Sequence, residues 1–350
     1  MSYPRSVLIA AIFATTIVAR TAITLLGTQA PQVRLKLGTS APVGTSPYKE
    51  LQLMAEKWRK APGGVDLQIT NTQGGEASTV GRMRVGQLQA AMLSATGLSE
   101  IDTSVRALED IPFVYRSLEE AEYVRRKLTP DVQKRFLDKG YVVLFWSDVG
   151  WVRFFSNEAM LRPADLKRMK VFTWAGDPSQ TDIMKSAGFN PVPLETDYIL
   201  TSLQTGQINV VPTPPLIASA GQFYGKTKHM LEINYAPLVG GTVITKKAWD
   251  SIPAGAQDAI RKAADEAGES IKQKSRTESD QAVKSMQDKW GLIVHKTTPD
   301  IDAEWQQIAK SIYPKIRGGI VPAELYDRVL TLIDEFRAAK PQSPAAATAK

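Results

Sequence analysis

The sequence predicts an α/β protein of two domains, with a helix long enough to run across both. The chain has 350 residues, more than a single hydrophobic core of ordinary size requires. Apolar strands and amphipathic helices alternate along most of it, which is the pattern of a mainly parallel sheet. Near residues 254–290, a continuous helical pattern would extend on the order of 50 Å. We expect the ligand at the carboxyl ends of the strands.

The first half of the chain contains repeated strand and helix patterns. Residues 33–39 alternate apolar and polar side chains, as a half-buried strand does, and Ser46-Pro47 then begins a helix. The other elements predicted here are strands at 65–69, 90–93 and 141–145, and helices from about 76, at 118–127 and at 131–138. This order of elements predicts a first α/β domain.

The second half contains a further α/β unit and then mostly helices. The elements predicted here are strands at 152–155, 169–173 and 239–245, and helices at 179–187, 197–203, 254–290, 301–313 and 322–337. Opposite charges four residues apart, such as Asp258 and Lys262, support the longest helix. The domain assignment that follows is residues 31–151 with about 240–285 for domain I, 152–239 with about 286–338 for domain II, and 339–350 for a disordered tail.

The first residues have the composition of an export signal. Arg5 precedes an apolar run of about 13 residues, which is shorter than the ~20 that span a bilayer. We therefore expect residues 1–30 to be a signal peptide, with a retained N-terminal anchor as the alternative. The mature chain is then expected outside the cytoplasm.

The composition excludes several kinds of active site. The chain has no cysteine, which excludes thiolate nucleophiles, disulfides and Cys-ligated metals. Its two histidines, His229 and His295, lie far apart in sequence and match no metal or hydrolase spacing. The formal charge of +7 is spread among interleaved acids, which argues against nucleic acid as a partner. No cofactor and no metal ligand are expected.

Sequence motifs of common enzyme classes are absent from the chain. It contains no G-x-G-x-x-G, no P-loop and no G-x-S-x-G, so phosphate cradles and nucleophile elbows lack their usual sequences. The single S-x-x-K, from Ser46 to Lys49, is predicted to begin a helix instead. Gln73 lies in a turn before a helix, and this turn either is a plain connection or faces an anion.

Seven aromatic side chains are concentrated between residues 144 and 174, and Arg153 lies among them. They could line an apolar cleft in which one guanidinium binds a carboxylate. They could equally form an aromatic core with Arg153 at the surface. The sequence leaves both arrangements open.

Several stretches, taken in their order and spacing, resemble the solute-binding proteins of TRAP (tripartite ATP-independent periplasmic) transporters, of the dicarboxylate-binding-protein type. They are LKLGTSAPVGTSPYKEL from residue 35, Q-x-G-[DE] at 73–76, RFFSN at 153–157 followed by RPADLKRMKV, PVPLETDYILTSLQTGQI at 191–208 and KKAWDSIP at 246–253. The resemblance covers residues 33 to about 338. It implies two α/β domains joined by hinge strands, a ligand held between them, and delivery of that ligand to a separate TRAP membrane permease.

The chain departs from the pattern of this family at the ligand site. The family usually has a carboxylate-binding arginine where this chain has Phe172, and a substrate-facing asparagine where it has Thr213. The family's other arginine corresponds to Arg153, or to Val152 when the alignment runs without a gap from Gly150. Because side chains alternate along a strand, this shift of one residue decides whether Arg153 faces the cleft.

Together these features predict a periplasmic, non-enzymatic protein that closes on a small organic acid and delivers it to the permease. The missing arginine favours a monocarboxylate with an apolar or aromatic body. Arg153 would bind its carboxylate, and the other expected ligand contacts are Ser40, Gln73, Ser94, Trp146, Trp151, Phe172, Trp174 and Thr213. The alternatives are a secreted enzyme on the same fold, which a carboxylate pair of raised pKa in the cleft would favour, and a membrane-anchored sensor. A homodimer is left open.

Overall fold

Two mixed β-sheets, each covered by helices on both faces, make up the described part of the chain. The computed structural model describes residues 33–72 and 74–339. The expected signal segment at 1–30, almost all of the expected tail at 339–350, and Gln73 lie outside the described residues. None of the described helices combines the length and the apolar composition that crossing a membrane requires.

The elements follow one another in an α/β order along the chain. The strands are β1 (Val33–Thr39), β2 (Val65–Asn71), β3 (Ala90–Ser94), β4 (Tyr141–Trp151), β5 (Arg153–Ser156), β6 (Lys170–Trp174), β7 (Asn190–Leu194), β8 (Val210–Thr213), β9 (His229–Glu232), β10 (Pro237–Thr245) and β11 (Ile293–Lys296). The α-helices are α1 (Ser46–Lys60), α2 (Gly75–Arg84), α3 (Ala95–Ser99), α4 (Leu118–Asp138), α5 (Pro163–Leu166), α6 (Pro178–Ser186), α7 (Ile199–Thr205), α8 (Pro215–Ala220), α9 (Lys246–Asp250), α10 (Ala254–Trp290), α11 (Pro299–Ile316) and α12 (Ala323–Ala339). Short 3-10 helices lie at Thr103–Leu108, Thr196–Tyr198 and Phe223–Gly225.

The first sheet has the strand order β2-β1-β3-β10-β4. β1 pairs in parallel with β2 and β3, whereas β10 enters antiparallel between β3 and β4. One face packs against α1, α9 and the first half of α10, and the other against α2, α3, α4 and α12. The predicted parallel strand and helix units therefore form this sheet together with one strand from later in the chain.

Helix α4 is a single helix where the sequence predicted two, at 118–127 and 131–138. Pro130 lies inside it and is exposed. On the opposite side, Val124, Leu128, Val132 and Phe136 are buried at a spacing of four residues. This apolar stripe continues across the proline, and its burial outweighs the one backbone hydrogen bond that proline cannot donate.

The second sheet has the strand order β11-β9-β5-β8-β6-β7. β6 pairs in parallel with β7 and β8, and β5 is antiparallel to β8 and β9. Strands β7, β8, β9 and β11 were not predicted, because each has only four or five residues and too few alternations to show a pattern. β7 contains Pro191 and Pro193, which are tolerated because this strand lies at the edge of the sheet.

The two sheets are joined by short strand connections and by α10. Only Val152 separates β4 from β5, and residues 233–236 connect β9 to β10. The 37 residues of α10 extend about 55 Å. Its first half packs with the first sheet, and Ala282 and Met286 in its second half pack with the second sheet. The predicted α/β class and the long helix across both parts are confirmed.

The last helix packs in a different place from the one expected for residues 286–338. Helix α11 does join the second sheet, through Ile301 and Trp305. Helix α12 instead packs beside the first sheet, where Val329 and Leu332 lie in the same apolar cluster as Leu128 of α4. Its apolar stripe is buried against α4, a contact that its position in the sequence does not indicate.

Candidate functional site

A cavity of about 580 Å³ lies between the two sheets. Thr39 and Ser94, at the ends of β1 and β3, line it from the first sheet, and Trp174 and Thr213, at the ends of β6 and β8, line it from the second. Within each sheet the two strands are parallel, so their carboxyl ends open on the same space. This is the position at which α/β sheets bind ligands, and the volume suits a small organic molecule.

Aromatic side chains provide much of the apolar lining. Phe172 and Trp174 of β6 make an edge contact, with ring centroids 6.5 Å apart. Phe154 of β5 stacks on Trp305 of α11, with centroids 5.5 Å apart. Val152 adds an aliphatic group beside them. These walls suit a solute with an apolar body.

Glu76, in the first turn of α2, is held at the cavity by two serines of the first sheet. Its Oε1 accepts hydrogen bonds from Ser40 Oγ at 2.9 Å and from the Ser94 N–H at 3.0 Å, and its Oε2 accepts one from Ser94 Oγ at 2.5 Å. Gly97 makes room for this carboxylate, because a Cβ there would lie 2.3 Å from Oε2. Glu76 is therefore a fixed group of the lining.

Glu109 contributes a second carboxyl group to the lining, although it is only 8% exposed. Its Oε2 accepts a hydrogen bond from the Val239 N–H at 2.8 Å, whereas no hydrogen bond from the described residues reaches its Oε1. Burial, together with the charge of Asp110, raises the pKa of Glu109 well above its ordinary value. Glu109 thus keeps its proton at pH values where an ordinary glutamate is ionised, and its O–H can donate to a bound molecule.

The charged side chains of the described lining are all acidic. Besides Glu76 and Glu109 they are Glu100, Glu195 and Asp197. Within residues 33–72 and 74–339, no lysine, arginine or histidine lines the cavity. The site therefore differs from an ordinary anion-binding pocket, in which guanidinium or ammonium groups meet the ligand.

Arg106 lies beside the cavity and joins elements of the two halves. Its Nη2 is 2.5 Å from Asp177 Oδ2, which belongs to the N-cap residue of α6, and its Nε contacts Asp110. Burial by itself lowers the pKa of Arg106. The interactions with Asp110 and Asp177 are together stronger than this effect, so the pKa of Arg106 is raised. Both carboxylates thus belong to a buried ion-pair cluster, and this guanidinium is already engaged.

The turn before α2 contacts a carboxylate of the protein itself. From the sequence, this turn could be either a plain connection or a turn that faces an anion. Gly75 has a φ of +81°, and a Cβ on it would lie 2.2 Å from Glu195 Oε2. Glu195 follows β7, so this contact also joins the two halves. Glycine is needed here for its backbone conformation and for the approach of Glu195.

Arg153 does not line the cavity, which corrects the expectation that it faces the cleft. Val152 and Phe154 on either side of it are lining residues, and side chains alternate along a strand. Arg153 Nη1 instead donates to Asn234 Oδ1 at 2.5 Å. Burial lowers the pKa of Arg153, against the opposing influence of Glu232 and Asp280. The register of β5 therefore places the side chain of Val152, and not that of Arg153, toward the cavity.

The two predicted tryptophans of β4 also lie outside the lining. Trp146 is 7% exposed and packs edge-on against Phe136 of α4, with centroids 6.0 Å apart, in the core of the first sheet. Trp151 packs partly buried on the same core. For these two residues the arrangement is the aromatic core that the sequence left open: they pack in the cluster that contains Phe136, whereas Ser147 and Val149 of the same strand line the cavity.

The structure brings five of the nine expected contact residues to the cavity. They are Ser40, Ser94, Phe172, Trp174 and Thr213. Sequence reasoning missed Glu76, Glu109 and Trp305. Glu76 is the last residue of the Q-x-G-[DE] stretch, so that motif could have identified it. Nothing in the sequence indicates that residues so far apart as Glu109 and Trp305 meet in one cavity. Among the residues that the structure describes, no group of three or more His, Asp or Glu is arranged to hold a metal ion.

Comparison with known proteins relates most of the described chain to one family. The model of the family described as "Bacterial extracellular solute-binding protein, family 7" (DctP) matches residues 37–318. A Haemophilus influenzae protein without an assigned function is 28% identical over 250 residues, which are 68% of this chain and 74% of that protein. The 2,3-diketo-L-gulonate-binding periplasmic protein YiaO of Escherichia coli is 27% identical over 202 residues, 57% of this chain and 60% of its own length.

Solved structures share the fold at low sequence identity. A TRAP periplasmic solute binding protein from Shewanella oneidensis, with bound succinate, superimposes with a TM-score of 0.79 at 17% identity, over 86% of this chain and 99% of its own. One from Ralstonia eutropha, with bound (S)-2-acetolactate, has a TM-score of 0.80 at 18% identity over the same shares. The family match confirms the resemblance seen in the sequence. The chain belongs to the bacterial extracellular solute-binding proteins of family 7, the DctP family of TRAP transporters.

Proposed function

We propose that this protein captures a small organic acid outside the cytoplasm and delivers it to a TRAP membrane permease. The observation that carries the proposal is the cavity of about 580 Å³ lined from both sheets at the carboxyl ends of their strands. The structural neighbours from Shewanella oneidensis and Ralstonia eutropha carry succinate and acetolactate, which supports an organic acid for this chain also.

Capture would proceed by closure of the two halves around the solute. A molecule in the cavity contacts both sheets at once, and only such a molecule favours the closed arrangement over an open one. The single residue Val152 and the four residues 233–236 provide short connections about which the halves can rotate. Closure is expected to reduce the radius of gyration, which small-angle X-ray scattering measures.

A carrier rather than an enzyme is the function that the site supports. A secreted enzyme would be favoured by two carboxyl groups of raised pKa facing the solute. Glu109 is one such group, but its neighbour Asp110 contacts Arg106 and does not line the cavity. A nucleophile with a base beside it is not among the features that the described lining presents next to Glu109.

The experiment that tests the proposal is a thermal-shift screen of the exported protein against small organic acids. A bound solute at about 100 times its dissociation constant stabilises the fold by ~2.7 kcal/mol. Thr213→Val, in the cavity, should weaken the shift, and Thr205→Val, on the exposed side of α7, should leave it unchanged. No shift with any acid would contradict the proposal. The mass of the exported protein shows whether residues 1–30 are removed or kept as an anchor.

A further inference from the structure

The charges around the cavity restrict which organic acid can bind there. Five acids line it and, among the described residues, no base does. A solute that carries only a carboxylate would enter a space of its own sign, where repulsion is stronger than in water. Among the described residues, no lining cation offsets that repulsion.

The groups that could receive a carboxylate are already bound to carboxylates or amides of the protein. Arg106 contacts Asp110 and Asp177, and Arg153 donates to Asn234 away from the cavity. The turn that begins α2 is covered by Glu195. Phe172 presents an apolar ring to the cavity.

We propose that the solute is an organic acid that also carries a positively charged nitrogen, an amino-acid-like zwitterion with an apolar body. The inference rests on the proposed function, since it names the solute class of the same cavity. A zwitterion brings its own cation, so its net charge is zero and its nitrogen is attracted by the acids of the lining.

Glu76 is the group that would bind the nitrogen. Three donors, from Ser40 and Ser94, hold its carboxylate in place. A carboxylate offers about four acceptor positions, so one remains for an N–H of the solute. An ammonium group has donors only, and its hydrogen bond to a carboxylate is about twice as strong as a neutral one.

Glu109 is the group that would bind the carboxylate of the solute. Its Oε1 receives no hydrogen bond from the described protein, and the side chain is more than nine-tenths buried. Burial raises its pKa well above the ordinary value, so it keeps a proton to higher pH than an ordinary glutamate does, and a neutral carboxylic acid can donate that proton to a carboxylate. Glu76 and Glu109 line the same cavity, as groups that bind the two ends of one molecule must.

The test compares solutes that share an apolar body and differ only in charge. One series is phenylalanine, phenylpropanoate and phenylethylamine, and the other is leucine, isocaproate and isoamylamine. Isothermal titration calorimetry with the full exported protein measures each affinity. In at least one series the amino acid is expected to bind about ten-fold or more tightly than both the acid and the amine.

Glu76→Gln locates the nitrogen contact. This substitution keeps the shape of the side chain and removes its charge, so the amino acid should bind about ten-fold more weakly while the affinity for the carboxylate analogue stays unchanged or rises. Glu56→Gln, on the exposed face of α1, is the matched control and should change neither. Circular dichroism and thermal unfolding verify that the variants are folded, and the solute series on the unaltered protein do not depend on them.

Each outcome decides between the two proposals. An amino acid that binds most tightly, and loses affinity in Glu76→Gln, supports the inference. A carboxylate analogue that binds as tightly as the amino acid overturns it and leaves the proposed function standing. An amine that binds most tightly overturns the acid part of both. No binding in either series overturns the inference, and the thermal-shift screen against organic acids then decides the proposed function.

Discussion

Arg106 should contribute strongly to stability because it neutralises two buried carboxylates. The side chains of Arg106, Asp110 and Asp177 are 7%, 8% and 2% exposed. Arg106→Met keeps most of the side-chain volume and leaves both acids buried without a cation. Breaking a buried pair from one side costs about 3–5 kcal/mol, because the remaining charge is uncompensated. We expect a loss of this size in the free energy of unfolding at pH 7.

The loss should depend on pH in a defined direction. Burial raises the pKa of Asp110 even with Arg106 present, and removal of the guanidinium raises it further. A carboxyl whose folded pKa lies above its unfolded value binds more protons in the folded state, so folding becomes more favourable as the pH falls. The deficit of Arg106→Met should therefore shrink as the pH falls from 7 towards about 4.

Urea unfolding followed by tryptophan fluorescence measures both effects. Arg126→Met is the control, because Arg126 is exposed on α4, and its change should stay within about 0.5 kcal/mol. A loss below about 1 kcal/mol for Arg106→Met, or a loss that is the same at both ends of the pH range, would refute the reasoning.

Three further predictions concern the cavity. Arg153→Ala should leave the solute affinity measured by calorimetry within about two-fold, because its guanidinium lies outside the lining; a ten-fold loss would contradict the inward register of Val152. Gly97→Ala should weaken binding about ten-fold, because its Cβ would lie 2.3 Å from Oε2 of the fixed carboxylate. Gly81→Ala, which meets open space, is the control and should bind normally. A carboxyl whose pKa is raised in the folded state makes the fold less stable as the pH rises above about 4.3, so Glu109→Gln should lack that part of the pH dependence of the free energy of unfolding. If the free energies of unfolding of the two proteins run parallel with pH, the pKa of Glu109 is not raised.

The missing guanidinium distinguishes this cavity from the arginine-centred site that the family resemblance implies. Phe172, which stands where the resemblance places one family arginine, lines the cavity, and so does Val152, one of the two candidates for the place of the other. The described lining offers hydroxyls, a buried carboxyl of raised pKa and aromatic rings instead. Recognition of an acid here would depend on neutral donors, which makes it more sensitive to pH than a guanidinium site.

The secondary structure was predictable wherever a long pattern was present. β1 at Val33–Thr39 and α10 at Ala254–Trp290 have the bounds expected from their alternation and helical periodicity. The prediction of two helices, at 118–127 and 131–138, was wrong, because the apolar stripe of α4 continues across Pro130 and is buried as one face. The strands β7, β8, β9 and β11 of the second sheet have too few residues to show an apolar alternation. Their extended conformation depends on pairing with neighbouring strands.

By itself, the sequence determined the fold class, the long helix, the family and several residues at strand ends, since these depend on local periodicity and on the order of motifs. Only the tertiary structure decided which side of β5 faces the cavity, and that Arg153 therefore lies outside it. It also decided that Glu76, Glu109 and Trp305 meet in one lining. The physical reason is that such convergence depends on register and on packing between distant segments, to which neighbours in sequence contribute no information.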